Sequence, residues 1–134
     1  MASSPIPDDT FPALLGLEMV EAGPERVIGY IDIEPHHHQP YGVTHGGVYC
    51  SMVETLGSWG GALWAIERGM TGVVGVNNNT DFIRPHREGR LTGVATPIHR
   101  GRTQQLWDIE ITNDDGKLVA HGQLRVQNIN ALPR

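Results

Sequence analysis

Hydrophobic and polar positions alternate along most of this chain, and one long stretch that is apolar on nearly every side interrupts the alternation. Alternation at period two marks a strand with one buried face. The first such segment runs from Leu17 to Glu21 and is followed by the turn-forming cluster Ala22-Gly23-Pro24-Glu25. Arg26 to Glu34 then sets Val27, Gly29, Ile31 and Ile33 against Arg26, Ile28, Tyr30 and Asp32, which predicts a hairpin. Three further segments, Gly72–Arg84, Gly89–His99 and Arg102–Asn113, read as strands; in the last, Trp107, Ile109 and Ile111 oppose Asp108 and Glu110. Asp114-Asp115-Gly116 turns the chain into a final strand, Lys117–Gln127, which alternates again with Leu118, Ala120, Gly122, Leu124 and Val126 on one side. Residues 1–10 are expected to form a flexible arm with a short helical turn following at Phe11–Leu15, and residues 129–134 a tail. That leaves 11–128 as the domain.

The interrupting stretch, Gly46 to Arg68, predicts one long helix wrapped on most sides. Gly57, Gly60 and Gly61 each cost about 1 kcal/mol relative to alanine inside a helix. Close approach of another backbone or of a ligand is the expected compensation. The preceding segment, PHHHQPYGVT, holds two prolines and three histidines and reads as a loop. Two strands, one helix and four more strands indicate an α+β fold, a sheet of about six antiparallel strands with the long helix on one face. Such an arrangement would bury more surface by dimerising.

Composition narrows the function classes. A chain of 134 residues holds one ordinary domain. Lys+Arg 10 against Asp+Glu 15 gives a net charge of −5, with no basic stripe, so nucleic acid and anionic membrane are poor partners. All the basic residues but Lys117 are arginine, a residue suited to planar or phosphate groups, although composition bias accounts for this equally well. A single cysteine, Cys50, excludes an internal disulfide, and the first ten residues lack the basic and apolar regions of a signal peptide. Both point to the cytoplasm.

The chemically informative segment is QPYGVTHGGVYCSMVETLGS, residues 39–58. A loop ending in Thr44-His45-Gly46-Gly47 opens directly into the helix, whose first N–H groups lack internal partners and sit at the positive end of its dipole. Gly46 and Gly47 let a carbonyl approach that backbone, which suits a developing oxyanion. Glu54 is the one charged residue between Gly46 and Ile66. It lies on the Gly46 side of the helix, with Ser58 one turn further along. Patterning alone leaves a solvated Glu54 and a functional one equally open. His36, His37 and His38 have no carboxylate or cysteine at ligand spacing, so no metal is expected.

The His45-Gly46-Gly47 motif with a carboxylate nine residues after the histidine resembles the hotdog-fold acyl-CoA thioesterases. The similarity is strongest to the phenylacetic-acid-pathway and Arthrobacter-type 4-hydroxybenzoyl-CoA thioesterase branch, and it extends through NNNTDFIRP, HRGRTQQLWDIEI and DGKLVAHGQLRV. The resemblance implies a hotdog fold and an acyl-CoA substrate, aromatic or of medium chain length, with no separate cofactor. It implies Glu54 as nucleophile or general base, the Gly46 N–H as the group polarising the thioester carbonyl, and Gln39 as its helper. Ser58 would hold water and His45 would position the loop. Gly47 and Tyr41 would meet the substrate, and the site would lie at the interface of a homodimer or of a dimer of dimers.

Arg84 and Arg102, from a group that includes His86, Arg87 and Arg100, are the candidates for the coenzyme A phosphates, against ordinary solvated arginines. Asn77 and Asn79, which alternation puts on one face of their strand, are the candidates for the acyl pocket, against a structural role. Two other functions remain open at this level. A hotdog hydratase or dehydratase would need a histidine–carboxylate acid–base pair. A non-catalytic acyl-CoA-binding module would bind without turnover.

Overall fold

A computed structural model describes residues 5–132. Its elements follow the order read from the sequence: α1 (Phe11–Leu14), β1 (Glu18–Ala22), β2 (Val27–Ile33), α2 (Gly46–Glu67), β3 (Gly72–Phe82), β4 (Gly89–Arg100), β5 (Gln104–Thr112) and β6 (Leu118–Ile129). A 3-10 turn at Pro35–His37 lies within the predicted loop. The strands form one antiparallel sheet in the order β1-β2-β4-β5-β6-β3, and α2 lies along one face of it. This is the α+β arrangement expected, a long helix wrapped by six strands.

The core is the layer between α2 and the sheet. Val27, Ile31, Leu91, Ala95, Trp107, Ile109, Ile111, Ala120, Leu124 and Val126 point from the strands to Met52, Val53 and Leu56 of the helix, and all are fully buried. The alternation in β2, β5 and β6 therefore named the inward residues correctly. The helix glycines are explained differently from the expectation. Trp107 packs so closely on Gly60 that an added Cβ would lie 2.5 Å from its ring, and Leu124 crowds Gly57 at 2.7 Å. Side chains from the sheet make the close approach, not a ligand or another backbone.

Buried polar atoms are paired. Gln105, fully buried, accepts from Trp107 Nε1 at 2.8 Å and donates to the Gly61 carbonyl at 3.0 Å and to Asn128 Oδ1 at 2.8 Å. Asn128 in turn donates to the carbonyls of Gly101 and Arg102, fixing the β4–β5 turn. A buried side-chain amide left without partners would cost about 1–3 kcal/mol. This network therefore supports the tight helix–sheet contact around Gly60 and Gly61.

Two boundaries differ from the sequence reading. Ile6, expected in a loose arm, is only 3% exposed and belongs to the core cluster, because its side chain is large enough to repay burial. The last strand runs on to Ile129, which pairs with Gly72 of β3. The remainder of the expected tail is described only to residue 132, and residues 1–4 of the arm and 133–134 of the tail lie outside the described residues. Among the described residues, no helix is long and apolar enough to cross a membrane.

Candidate active site

The loop before α2 is held from both sides. Thr44, buried, donates its N–H to the His86 carbonyl at 2.8 Å and its hydroxyl to the same oxygen at 2.9 Å. The His45 N–H donates to the His37 carbonyl at 2.8 Å. His37 itself is buried: its Nδ1 accepts the Glu34 N–H at 2.9 Å, which leaves Nε2 to donate to the Leu15 carbonyl at 2.7 Å. His38 Nε2 meets the Arg87 carbonyl at 2.7 Å. His37 and His38 thus anchor the loop, while His36 meets the exposed Glu34 carboxylate at 3.4 Å. Among the described residues no cluster of potential ligands fits a metal ion.

His45 is the N-cap of α2, and its Nδ1 accepts the Gly47 N–H at 2.8 Å. The Gly46 N–H, first in the helix, has no partner among the described residues and stands beside a hollow of about 250 Å³. That hollow also takes in Gln39, Thr44, Tyr49, Phe82 and Arg84. Gln39 accepts the Tyr41 N–H through Oε1, leaving its amide NH₂ as a donor. Burial raises the Tyr49 phenol above its ordinary value, opposed by a hydrogen bond to Thr44, so the phenol stays neutral at physiological pH. The candidates for polarising a carbonyl, Gly46 and Gln39, are therefore brought together with Arg84.

Glu54 lies elsewhere, at the head of a groove of about 540 Å³ lined by Thr55, Ser58, Trp59, Ala62, Leu63, Ile66 and Val73. Every lining residue except Glu54 is uncharged. Ser58 shares the groove, as the i+4 spacing predicted. Gly46 and Glu54 are eight residues apart on one helix, about 12 Å along its axis. The two groups line separate hollows of the same chain.

Tyr41, Asn77 and Asn79 fall outside these hollows, as do His45, Gly47 and Arg102. Tyr41 is 86% exposed and lines neither. Asn77 and Asn79 are exposed on the sheet face away from the helix, where Asn79 borders a small depression with Asp81, His121 and Gln123. Asn78 instead faces α2, donating through Nδ2 to the Cys50 carbonyl at 2.9 Å and to Glu54 Oε1 at 3.4 Å. The reason is a β-bulge between Gly75 and Asn77. One extra residue reverses the inward and outward positions beyond it.

Gly75, just before the bulge, is a site residue that strand patterning missed. A Cβ there would collide with Glu54 Oε2. A glycine inside a strand pattern is the signal that could have found it.

Of the proposed phosphate contacts, Arg100 is engaged by Glu25 at 2.9 Å and by the Pro24 carbonyl at 2.9 Å. His86 is buried. Arg84 and Arg102 are exposed: Arg84 lies just past the last residue of β3, while Arg102, in the β4–β5 turn, lies beside Asn128, which pairs with Val73 near the start of β3.

The sequence pattern of the Thioesterase superfamily matches residues 41–120, spanning the His45–Gly47 loop, α2, β3, β4, β5 and the start of β6. The chain belongs to this superfamily. A Mycobacterium tuberculosis protein provisionally named an esterase is 48% identical over 124 residues, covering 92% of this chain and 89% of that protein. Its solved structure superposes with a TM-score of 0.88 at 47% identity, covering 92% of this chain and 98% of that one. A solved thioesterase from Haemophilus influenzae superposes with a TM-score of 0.83 at 33% identity, covering 94% of this chain and 87% of that one. The Escherichia coli PaaI protein of the phenylacetic acid degradation operon shares the hotdog fold at 22% identity and a TM-score of 0.76, covering 88% of this chain and 83% of that one. As a thioesterase-superfamily member the chain is a hydrolase of the thioester-cleaving class.

Proposed function

We propose that this thioesterase hydrolyses an acyl-CoA to the free acid and coenzyme A, with Glu54 as the group that delivers the oxygen. The single observation that carries this reading is a lone carboxylate at the head of an otherwise uncharged groove. A thioester carbonyl bound against the Gly46 N–H and the Gln39 amide gains hydrogen bonds as its oxygen becomes negative. Glu54 then either takes a proton from an attacking water or attacks the carbonyl itself. In the first route the water oxygen forms the new C–O bond as the C–S bond breaks, and the proton taken by Glu54 passes to the leaving thiolate. In the second the Glu54 carboxylate forms an anhydride as the C–S bond breaks; water then cleaves that anhydride, freeing the acid, restoring Glu54 and supplying the proton for the thiolate. Neither route needs a metal or other cofactor. Ser58, in the same groove, has a hydroxyl able to hold the water.

The site needs two copies of the chain. The separation of Gly46 from Glu54 along one helix supports this, and so does the edge strand β3, which has a free side and carries exposed Val76 and Phe82, with exposed Ile83 just beyond its end. Antiparallel pairing of two copies along β3 would turn the Gly46 end of one toward the Glu54 groove of the other. The same pairing would bring the Arg84 end of one copy toward the Arg102 end of the other, where the coenzyme A phosphates would lie. We favour the phenylacetic-acid-pathway and 4-hydroxybenzoyl-CoA branch for this chain, on the nine-residue spacing from His45 to Glu54.

A hydratase is disfavoured because His45 Nδ1 is spent on the Gly47 N–H and its ring is not paired with Glu54. Thiol release from a panel of aryl and straight-chain acyl-CoAs tests the proposal. Release by the wild type and its near-complete loss in a folded Glu54→Gln variant are expected. Release at the wild-type rate by Glu54→Gln would overturn the assignment.

A further inference from the structure

Glu54 is held by strand β3, and by two residues that face it from opposite sides of the bulge. Before the bulge, Gly75 presents a bare Cα to the carboxylate, and any side chain there would occupy the position of Oε2. Beyond it, Asn78 presents its amide to Oε1 at 3.4 Å while donating at 2.9 Å to the carbonyl of Cys50, one helical turn before Glu54. The orientation of the Asn78 amide is itself fixed, because its Oδ1 accepts the Thr80 hydroxyl at 2.7 Å. Unbroken alternation would leave Gly75 and Asn78 on opposite faces. The bulge makes both face α2.

We propose that Gly75 and Asn78 are positioning residues for the Glu54 carboxylate: Gly75 supplies the slot and Asn78, oriented by Thr80, supplies the donor that fixes the carboxylate plane. This inference rests on the role of Glu54 in hydrolysis proposed above. Its physical basis is that a side chain with three rotatable torsions delivers oxygen efficiently only when held in one orientation. A neutral amide achieves this without neutralising the carboxylate, as an arginine partner would tend to do. No residue from 73 to 80 of β3 is titratable, nor are Gly122 and Leu124 of β6 behind it. On α2 the titratable neighbours are Tyr49 and Cys50.

The test compares Asn78→Ala, Asn78→Asp and Gly75→Ala with Glu54→Gln in the full-length protein. Steady-state kinetics on the best acyl-CoA, pH–rate profiles and melting temperature are measured for each. Misplacing a catalytic group by about an ångström costs on the order of 100-fold. Asn78→Ala and Gly75→Ala are therefore expected to lower kcat by about 10- to 100-fold with KM changed less than about threefold. Asn78→Asp is nearly isosteric but puts a like charge beside Glu54, so the acid limb of its pH–rate profile should move to higher pH.

A purely structural Asn78 would lower the melting temperature without moving that limb. An Asn78→Asp profile that superimposes on the wild type, or a wild-type kcat in Asn78→Ala, overturns the inference. Should Gly75→Ala fail to fold, the two Asn78 variants decide alone. If Glu54→Gln is inactive while the Asn78 variants keep the wild-type kcat and pH limb, the positioning role falls and the role of Glu54 stands. If Glu54→Gln is itself fully active, both fall.

Discussion

His45 Nδ1 accepts the backbone N–H of Gly47 at 2.8 Å, so the histidine of the His-Gly-Gly motif closes the first turn of α2. A helix N-cap is worth about 1 kcal/mol, and asparagine fills it well. His45→Asn should therefore retain the stability and most of the activity of the wild type, while His45→Ala should lose about 1 kcal/mol in denaturant unfolding. An inactive but fully stable His45→Asn would instead make this histidine a participant in the chemistry.

Ser58 shares the groove with Glu54 but has no charge to supply. Losing one hydrogen bond to a water costs about 0.5–1.5 kcal/mol, so Ser58→Ala should lower kcat by roughly 2- to 13-fold. A fall as deep as that of Glu54→Gln would give the hydroxyl a more direct part than holding water.

Arg84 and Arg102 lie beyond opposite ends of β3 and face solvent. If coenzyme A phosphates meet them, Arg84→Glu and Arg102→Glu should each raise KM for a full CoA thioester more than for the matching pantetheine thioester. In the dimer proposed above these ends meet only between two copies, and the doubly substituted protein should then show no more than the combined effect. Equal effects on both substrates would return these arginines to the solvated surface.

His86 is buried beside Thr44, and burial holds its imidazole below the usual histidine value, with Asp114 opposing the shift and His38 adding to it. A group whose folded pKa lies below its unfolded value takes up a proton more readily when unfolded. Stability from keeping it neutral is complete above the unfolded value, near 6.5, and declines as the pH falls from there toward the folded value. Urea unfolding should accordingly show His86→Gln losing less stability than the wild type between about pH 8 and about pH 5.5. A wild type that gains on the variant as the pH falls would reverse the sign and contradict the burial argument.

Gly60 lies under the Trp107 ring, where an added Cβ would be 2.5 Å from its nearest atom. Overpacking of this kind costs about 1–3 kcal/mol. Gly60→Ala should lower the unfolding midpoint despite the better helix propensity of alanine, and Gly60→Ala with Trp107→Phe should recover part of the loss. A stabilised Gly60→Ala would mean that the helix and sheet can separate without penalty.

By itself the sequence determined the order and type of the elements, the inward faces of β2, β5 and β6, the long helix and the placing of Glu54 and Ser58 on one side of it. These are local properties: hydrophobic period, turn residues and helical spacing act within a few residues of one another. The His45–Glu54 spacing also pointed to the hotdog thioesterases, and the superfamily match agrees at that level.

Tertiary structure decided what local periods cannot express. Register in β3 depends on a bulge that patterning does not reveal, and that one residue replaced Asn77 and Asn79 by Asn78 against the helix. Gly75 acquired a meaning only when a carboxylate from another element came to rest on it. Ile6 joined the core from a segment with no period at all, and the separation of Gly46 from Glu54 became informative only beside a sheet whose β3 edge is left open. In each case the deciding contact joins residues distant in sequence, where packing and pairing prevail over local pattern.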